Sequence, residues 1–247
     1  MTTKVVPGQL VAVPTAAEVA REAAARIARG LQAAILRYGH ASVALSGGNT
    51  PRDAYALLAR DPLVNWTKVD VFWVDERAVP PTDDRSNYRW AKETLLDVAR
   101  VPADRVHRMA AEAADRAVVA KEYERRIRER VEVDSDGVPA FDVMILGIGE
   151  DGHTASLFPG EPTVETSEGL VVAVPAKGPR EARLSLTPLA IEHARSLIVI
   201  AVGAGKREAL ERVWAAQGDV QKTPARVIRG GRGGVTWVID QAAGGIT

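Results

Sequence analysis

The sequence of 247 residues carries 32 acidic and 32 basic side chains, so its formal net charge near neutral pH is zero. A neutral chain has no overall field that attracts nucleic acid or an anionic membrane, and we expect neither as a partner. The lack of cysteine excludes disulfides, thiolate metal ligands and cysteine nucleophiles. These features favour a small molecule as the partner.

Length and hydrophobic patterning limit the possible architectures. A chain of this size can form one large α/β domain or two small ones, and we expect one domain over residues 1–247 because no linker or repeat divides it. The N-terminus lacks the apolar core and cleavage site of a signal peptide, and no long apolar run occurs. We therefore expect a soluble, cytoplasmic protein. Separately, we expect a monomer or a weak homo-oligomer.

The N-terminal segment predicts a strand followed by a long helix. Residues 10–13 are apolar and short enough for a strand. Thr15 predicts the N-cap of a helix that runs to about Tyr38 and ends at Gly39. The charges of this helix are most simply a solvated face, and we assign no function to them.

A second strand, over residues 41–45, leads into a glycine-containing loop and a helix. Thr50 is predicted as the N-cap, Pro51 as the first helical residue and Asp53 as the capping-box acid. Glycines let backbone amides converge on a ligand, and a helix N-terminus adds partial positive charge. The loop therefore predicts an anion site, most naturally for phosphate. Its candidate residues are Ser46, Gly47, Gly48, Asn49 and Thr50.

The same loop has a simpler explanation as a tight strand-to-helix turn. Two adjacent glycines by themselves would favour that explanation. The loop is also not a Walker loop, because no G-K-[ST] sequence follows it.

Three charged residues follow the strand predicted over residues 69–74. They are Asp75, Glu76 and Arg77, and a loop rich in turn formers comes after them. Arg77 is a candidate for a second contact with an anionic substrate, because a guanidinium pairs bidentately with phosphate. The two acids either position Arg77 or bind sugar hydroxyls. Solvated charges at the rim of the sheet are the alternative for all three.

The middle of the chain gives less specific predictions. We expect a helix from Asn87, a short strand containing His107 within residues 101–109, and a charged helix over residues 111–133. A polar turn then leads into the next strand. We assign these elements to the scaffold.

The stretch from Leu146 to Gly160, LGIGEDGHTASLFPG, has the strongest features of an active-site loop. Residues 141–146 predict a buried strand, and open α/β sheets bind ligands beyond the carboxyl ends of their strands. His153 lies just past this end, among glycines, acids and hydroxyls. A histidine in that setting favours proton transfer, whereas the other three histidines are expected to be structural.

Three glycines of this stretch also match the dinucleotide fingerprint G-x-G-x-x-G. They are Gly147, Gly149 and Gly152. The fingerprint requires a long helix from the third glycine and an acid at the end of the next strand. Here prolines interrupt any such helix, and the next apolar run, residues 170–174, ends in Pro175. We therefore expect a catalytic loop and not a nucleotide site.

The C-terminal half continues the alternation of strands and helices. Strands are expected over residues 170–174, 183–186 and 196–202, with a helix from Thr187 and two short strands between residues 224 and 240. The whole pattern predicts a doubly wound α/β fold. We expect a mainly parallel, Rossmann-like sheet with helices on both faces and a small additional β/α region.

Two cations in this half are further candidates. Arg183 opens a strand, and if it faces the same edge as residues 46–50 it can contact a phosphate from the other side. Lys206 lies at a helix start, where a positive charge opposes the helix dipole. A ligand charge explains its position, and solvation is the alternative.

The chain contains three motifs in a defined order: SGGNTP from Ser46, VDERAVPPTDDRSNY from Val74 and LGIGEDGHTASLFPG from Leu146. In this order they resemble the 6-phosphogluconolactonase family, and the pattern between them extends the resemblance over nearly the whole chain. Asn49 replaces a serine often found in the first motif, and Glu150 is at a position that the family varies. The resemblance implies hydrolysis of 6-phospho-D-glucono-1,5-lactone to 6-phospho-D-gluconate in the oxidative pentose phosphate pathway.

The related glucosamine-6-phosphate isomerase/deaminase family shares the fold, the SGG loop and the G-x-G-x-D-G-H core. Deaminases follow the histidine with a sequence of the type I-A-F-N-E-P and the strand acid with one of the type E-Y. Here TASLFPG follows His153, and Arg77 follows Glu76. Opening an amino sugar requires an extra acid near the imidazole, which Leu157 and Phe158 do not supply. The ends of the motifs therefore favour the lactonase.

The resemblance implies roles for the candidate residues. His153 is the general base that activates water, and Asp151 orients its ring. The amides of Gly147, Gly149 and Gly152 are candidates for the oxyanion contact. The substrate and its phosphate are bound by Ser46, Gly47, Gly48, Asn49, Thr50, Asp75, Arg77, Arg183 and Lys206.

No cofactor and no metal are expected for this reaction. The chain has no cysteine, its histidines lack ligand spacing, and attack of water on a reactive lactone needs no Lewis acid. The same fold also serves as a sugar-phosphate sensor in transcriptional regulators, behind a helix-turn-helix segment. With the first strand near residue 10, we expect no such segment here.

Overall fold

The computed structural model describes residues 5–246. The strands within them are β1 (Gln9–Val13), β2 (Ala41–Leu45), β3 (Val69–Trp73), β4 (Asp75–Arg77), β5 (Val143–Gly147), β6 (Val171–Val174), β7 (Arg183–Leu186), β8 (Ser196–Ala201) and β9 (Gly234–Asp240). The helices are α1 (Ala16–Tyr38), α2 (Asn49–Leu58), α3 (Asn87–Ala91), α4 (Asp97–Ala99), α5 (Arg116–Arg130), α6 (Pro188–Glu192), α7 (Arg207–Trp214) and α8 (Gln241–Gly244). A π-helical turn, Lys92–Leu96, joins α3 to α4.

Six strands form one parallel sheet in the order β1-β9-β8-β5-β2-β3. Its central strands β2 and β5 are apolar and buried, as is usual where helices cover both faces of a parallel sheet. Helix α1 packs against α2 and against β2, β8 and β9. The prediction of an α/β fold with a mainly parallel sheet flanked by helices is confirmed.

The order of the strands reverses between β2 and β5. The chain passes from β2 outward to β3, whereas from β5 it passes to β8 and β9 on the other side. Such a reversal opens a crevice beyond the carboxyl ends of the two strands. Ser42 stabilises the pairing near their amino ends, because its N and Oγ donate hydrogen bonds of 2.8 and 2.9 Å to Asp142. The loops after Leu45 and Gly147 therefore lie side by side.

A second sheet is antiparallel and has the order β4-β7-β6. The strand predicted over residues 69–74 ends one residue early, and residues 75–77 form the separate strand β4. This happens because the chain leaves the main sheet and pairs with β7, with Arg77 directly opposite Arg183. The predicted small additional region takes the form of this sheet.

Helix α1 has the boundaries that its sequence predicts. Thr15 and Glu18 form a reciprocal capping box, and Gly39 ends the helix in the left-handed conformation with φ 82°. Apolar residues at helical spacing, among them Ile27 and Leu31, are fully buried. The helix therefore buries its apolar stripe and leaves its charges largely outside.

The predicted start of helix α2 was wrong. The helix begins at Asn49 with Gly48 as the N-cap, and no side chain caps it, so neither Thr50 nor Asp53 has the predicted capping role. Gly48 has φ 104°, a conformation that glycine adopts without steric cost. Pro51 still fits within the first turn, where its missing N–H removes no helical bond.

Three further predictions were wrong in the middle and at the end of the chain. Residues 101–109 form no strand, because only an isolated bridge joins Val106 to β3. The helix predicted over residues 111–133 is the shorter α5, since Asp115 caps the amides at its start. In the tail, a 3-10 helix, Pro224–Gly230, replaces the first of the two predicted strands.

Candidate active site

A cleft of about 370 Å³ lies beyond the carboxyl ends of β2, β3, β5 and β8. It brings together most of the residues predicted from the sequence, although they come from separate loops. Two of those residues, Asp151 and Gly152, do not line it. The lining residues are Ser46, Gly47, Gly48, Asn49, Thr50, Pro51, Asp75, Arg77, Asn87, Gly147, Ile148, Gly149, His153, Ala155, Arg183, Ile200, Ala201, Val202 and Lys206.

The loop after β2 packs tightly against Asn87. A Cβ atom on Gly47 would lie 1.8 Å from the Asn87 Oδ1 atom, so no larger residue fits here without displacement. The Ser46 hydroxyl and the Asn87 Oδ1 atom are both buried, and neither has a hydrogen-bond partner within residues 5–246. Unpartnered buried polar atoms beside a cleft are costly unless a ligand or water satisfies them.

Asp75 is a buried centre of hydrogen bonds. Its carboxylate accepts from Ser156 Oγ at 2.6 Å and from Asn87 Nδ2 at 3.1 Å, and it lies 3.5 Å from Arg183 Nη1. The side chain thereby fixes groups from three parts of the chain. We infer that the main role of Asp75 is to position Asn87 and Arg183, and that contact with a ligand is secondary.

Glu76 is buried and does not line the cleft. Burial raises the pKa of this carboxyl, and hydrogen bonds that include those from the backbone amides of Tyr88 and Asn87 oppose the rise. These amides lie at the N-terminus of α3, where a carboxylate is favoured by the helix dipole. Glu76 therefore anchors the segment that carries Asn87.

Arg77 and Arg183 bring two positive charges to one side of the cleft. They lie directly opposite each other on β4 and β7, an arrangement in which like charges repel. Burial lowers the pKa of Arg183, an effect that Asp75 opposes and Arg77 reinforces. The Nε atoms of both arginines are buried without a partner in the described chain. An anion between them would relieve the repulsion.

Lys206 adds a third cation to the cleft. It ends the 3-10 turn Ala204–Lys206 that precedes α7. No carboxylate of the described residues forms an ion pair with it, so its ammonium is available to a ligand.

His153 and Asp151 form a pair on the loop after β5. The imidazole Nδ1 lies 2.6 Å from Asp151 Oδ1, and the His153 amide donates to the same oxygen at 3.0 Å. Burial opposes ionisation of Asp151, but these hydrogen bonds outweigh it and lower its pKa to about 2. An ionised partner holds the proton on Nδ1, which leaves Nε2 as the nitrogen available to a ligand.

Gly149 makes room for this pair. A Cβ atom on Gly149 would lie 2.1 Å from the His153 Nδ1 atom and 2.5 Å from Asp151 Oδ1. The glycine is therefore required by the packing of the imidazole on its own loop. No helix begins at Gly152, where a nucleotide fingerprint would start one.

Two of the three glycine amides predicted to contact an oxyanion are occupied. The Gly149 amide donates to the His153 carbonyl at 2.8 Å, and the Gly152 amide donates to the Gly149 carbonyl at 3.0 Å. These bonds shape the turn that presents His153. Gly147 lines the cleft at the end of β5, where it pairs with Ile200 of β8, and it is the third candidate.

Sequence reasoning missed Asn87 and Ser156 as site residues. Both lie within motifs that were recognised, but nothing in the local pattern predicts their contacts with Asp75. Among residues 5–246, no three His, Asp or Glu side chains gather as a metal site requires. The helices of this region also include none that could cross a membrane.

Comparisons with known proteins identify the family. The profile described as glucosamine-6-phosphate isomerases/6-phosphogluconolactonase matches residues 14–237. A 6-phosphogluconolactonase from Synechocystis sp. is 40% identical over 211 residues, which cover 85% of this chain and 86% of that protein. One from Nostoc sp. is 36% identical over 214 residues, covering 87% of this chain and 88% of that protein.

The structure agrees with these sequence matches. The solved structure of 6-phosphogluconolactonase from Trypanosoma brucei superposes with a TM-score of 0.86 at 30% identity and covers 96% of this chain and 97% of its own. The profile match alone extends over most of the sequence. The chain therefore belongs to the glucosamine-6-phosphate isomerase/6-phosphogluconolactonase family.

Proposed function

We propose that this chain hydrolyses 6-phospho-D-glucono-1,5-lactone to 6-phospho-D-gluconate. One observation carries the proposal: a histidine held by a carboxylate lies in the same cleft as a glycine loop and three cations. The histidine suits proton transfer, and the cations suit a phosphate. The 6-phosphogluconolactonase relatives share this chain's family and nearly its whole length.

The phosphate would bind between the loop after β2 and the basic residues of the cleft. Backbone amides at the start of α2 and the dipole of that helix favour an anion there. Arg77, Arg183 and Lys206 supply charge from the other sides of the cleft. Each charge-assisted hydrogen bond contributes about 1.5–3 kcal/mol. Binding of the remote phosphate would then fix the lactone ring relative to His153.

In the proposed chemical step, the Nε2 atom of His153 is the proton acceptor, because Asp151 contacts the other ring nitrogen. Neutral imidazole takes a proton from water as the water oxygen bonds to C1 of the lactone. The ester bond between C1 and the ring oxygen then breaks, and the imidazolium returns the proton to that oxygen. Asp151 keeps the ring oriented and stabilises its charged form. Gly147 is the proposed donor to the oxyanion.

Replacing Asp151 by asparagine is expected to lower kcat by about 10- to 150-fold, the equivalent of one charge-assisted hydrogen bond of 1.5–3 kcal/mol. The amide cannot stabilise the imidazolium as an ionised carboxylate does. Because the pKa of Asp151 is lowered to about 2, the titration of this carboxyl should not appear in the wild-type pH–rate profile above pH 4. Steady-state kinetics between pH 4 and 9 measures both effects. A wild-type kcat in the variant would contradict the orienting role.

Replacing Gly47 by alanine is expected to raise KM by roughly 10- to 100-fold, because overpacking of about 1–3 kcal/mol displaces the phosphate loop. The new Cβ atom would lie 1.8 Å from the Asn87 Oδ1 atom. Gly234 provides a matched control, since a Cβ atom there meets nothing within 4 Å. If the KM of Gly47→Ala equals that of Gly234→Ala, the close packing at Gly47 has no role in substrate binding.

Two parallel assays test the proposed function. The first measures acid release from freshly generated 6-phosphogluconolactone above the spontaneous rate, and the second measures ammonia from glucosamine 6-phosphate. We expect acceleration in the first assay only. Ammonia without lactone hydrolysis would assign the deaminase activity of the family instead, and no reaction in either assay would reject both.

A further inference from the structure

The imidazole of His153 has a second neighbour besides Asp151. The ring centroid of Phe158 lies 4.8 Å from that of His153, with 42° between the ring planes. Phe158 is buried and does not line the cleft. Its ring therefore contacts the proposed base from outside the substrate-binding space.

Other side chains hold Phe158 in turn. The guanidinium of Arg180 lies 3.9 Å from the Phe158 ring centroid, a distance typical of a cation–π contact. Arg180 Nη2 donates to Glu161 at 3.1 Å, and Lys177 Nζ lies 3.0 Å from the same oxygen. Hydrogen bonds from Lys177 and Arg180 lower the pKa of Glu161, which keeps this anchor ionised. None of these three residues lines the cleft.

His153 needs such a neighbour because Asp151 alone restrains the imidazole only weakly. About a third of its side chain is exposed, and Asp151, which holds one edge of the ring, is about half exposed. A hydrogen bond at one ring nitrogen leaves the imidazole able to tilt about that contact. A general base displaced by about 1 Å can lose roughly a hundredfold in rate.

We propose that Phe158 is a positioning residue that holds the His153 imidazole against Asp151, with Arg180 and Glu161 holding Phe158. The proposal rests on the proposed role of His153 as the base. Phe158 acts through His153 and does not touch the substrate. Its ring also lies 5.4 Å from the guanidinium of Arg183, so its removal should act mainly on the chemical step and to a smaller extent on the capture of substrate.

Kinetics of two variants of Phe158 tests this separation. We expect Phe158→Ala to lower kcat by about 10- to 100-fold and to raise KM by a smaller factor, of no more than several-fold. Phe158→Leu retains apolar bulk against the imidazole and should recover most of the loss. A Phe158→Ala protein that folds and keeps the wild-type kcat would overturn the proposal.

Arg180 and Lys177 provide a matched pair that leaves the buried ring in place. Each contacts Glu161, but of the two only Arg180 stacks on Phe158. We expect Arg180→Gln to lower kcat by several-fold and Lys177→Gln to leave it unchanged. Equal kcat values for the two variants would contradict the proposed role of the stack.

NMR of ¹⁵N-labelled histidine gives a readout that does not depend on turnover. The chain has four histidines, and the His153→Ala spectrum assigns the signal of interest. We expect one Nδ1–H tautomer for His153 in the wild type and tautomer averaging in Phe158→Ala. An unchanged tautomer in the variant would overturn the positioning role. Averaging together with near-wild-type turnover in His153→Ala would support the contact between the two rings and reject the role of His153 as the base.

Discussion

Replacing His153 by alanine is expected to lower kcat by roughly a hundred- to ten-thousand-fold, the usual contribution of a positioned general base. The variant should fold, because the imidazole is partly exposed on a loop and lies outside the main core. Phosphate binding should persist, since the residues proposed for it lie in other loops. Steady-state hydrolysis above the spontaneous rate measures the loss.

His40 provides a control for the His153 variant. It precedes β2, at the opposite edge of the sheet from the cleft, and its Nε2 lies 3.4 Å from Glu132. His40→Ala should keep the wild-type kcat and KM. Near-wild-type turnover in His153→Ala would remove His153 from the mechanism.

Replacing Arg183 by alanine is expected to lower kcat/KM, mainly through KM, by about 10- to 150-fold for each charge-assisted hydrogen bond that the substitution removes. Arg183 lines the cleft, and its Nε is buried without a partner among the described residues. The buried Asp75 also loses its cation, although Ser156 and Asn87 still donate to it. Kinetics with varied substrate separates KM from kcat.

Arg77→Ala should also lower kcat/KM mainly through KM, but by a smaller factor than Arg183→Ala. The Arg77 Nη1 atom already donates to the Arg85 carbonyl, so less of its guanidinium is free for a ligand. Unchanged kcat and KM in Arg183→Ala would exclude that residue from the phosphate site. A larger loss of kcat/KM in Arg77→Ala than in Arg183→Ala would make Arg77 the more important phosphate contact, contrary to the proposal.

The sequence predicted the parts of the site that depend on local pattern. Glycines, an acid and a histidine after a short apolar run indicated the loop after β5, and the structure places that loop in the cleft. The glycine loop before α2 was recognisable for the same reason. The exact start of α2 was not, because Gly48 replaces a capping side chain with a backbone conformation.

Contacts between distant segments could not be predicted in this way. Arg77 and Arg183 were each recognised as candidate charges, but their direct opposition depends on β4 leaving the main sheet to pair with β7. The same holds for Asn87 and Ser156, whose contacts with Asp75 join separate motifs. Such pairings are set by the register of the second sheet and by packing, which leave little trace in local sequence.

The central claim is that binding of a phosphate in the cleft positions a lactone ring for His153. The most direct measurement compares kcat/KM for 6-phosphoglucono-1,5-lactone with kcat/KM for glucono-1,5-lactone, which lacks the phosphate. We predict a ratio of at least about a hundred, equivalent to about 2.8 kcal/mol of transition-state stabilisation from the phosphate. A ratio near one would contradict the account, because the glycine loop and the three cations would then contribute nothing to catalysis.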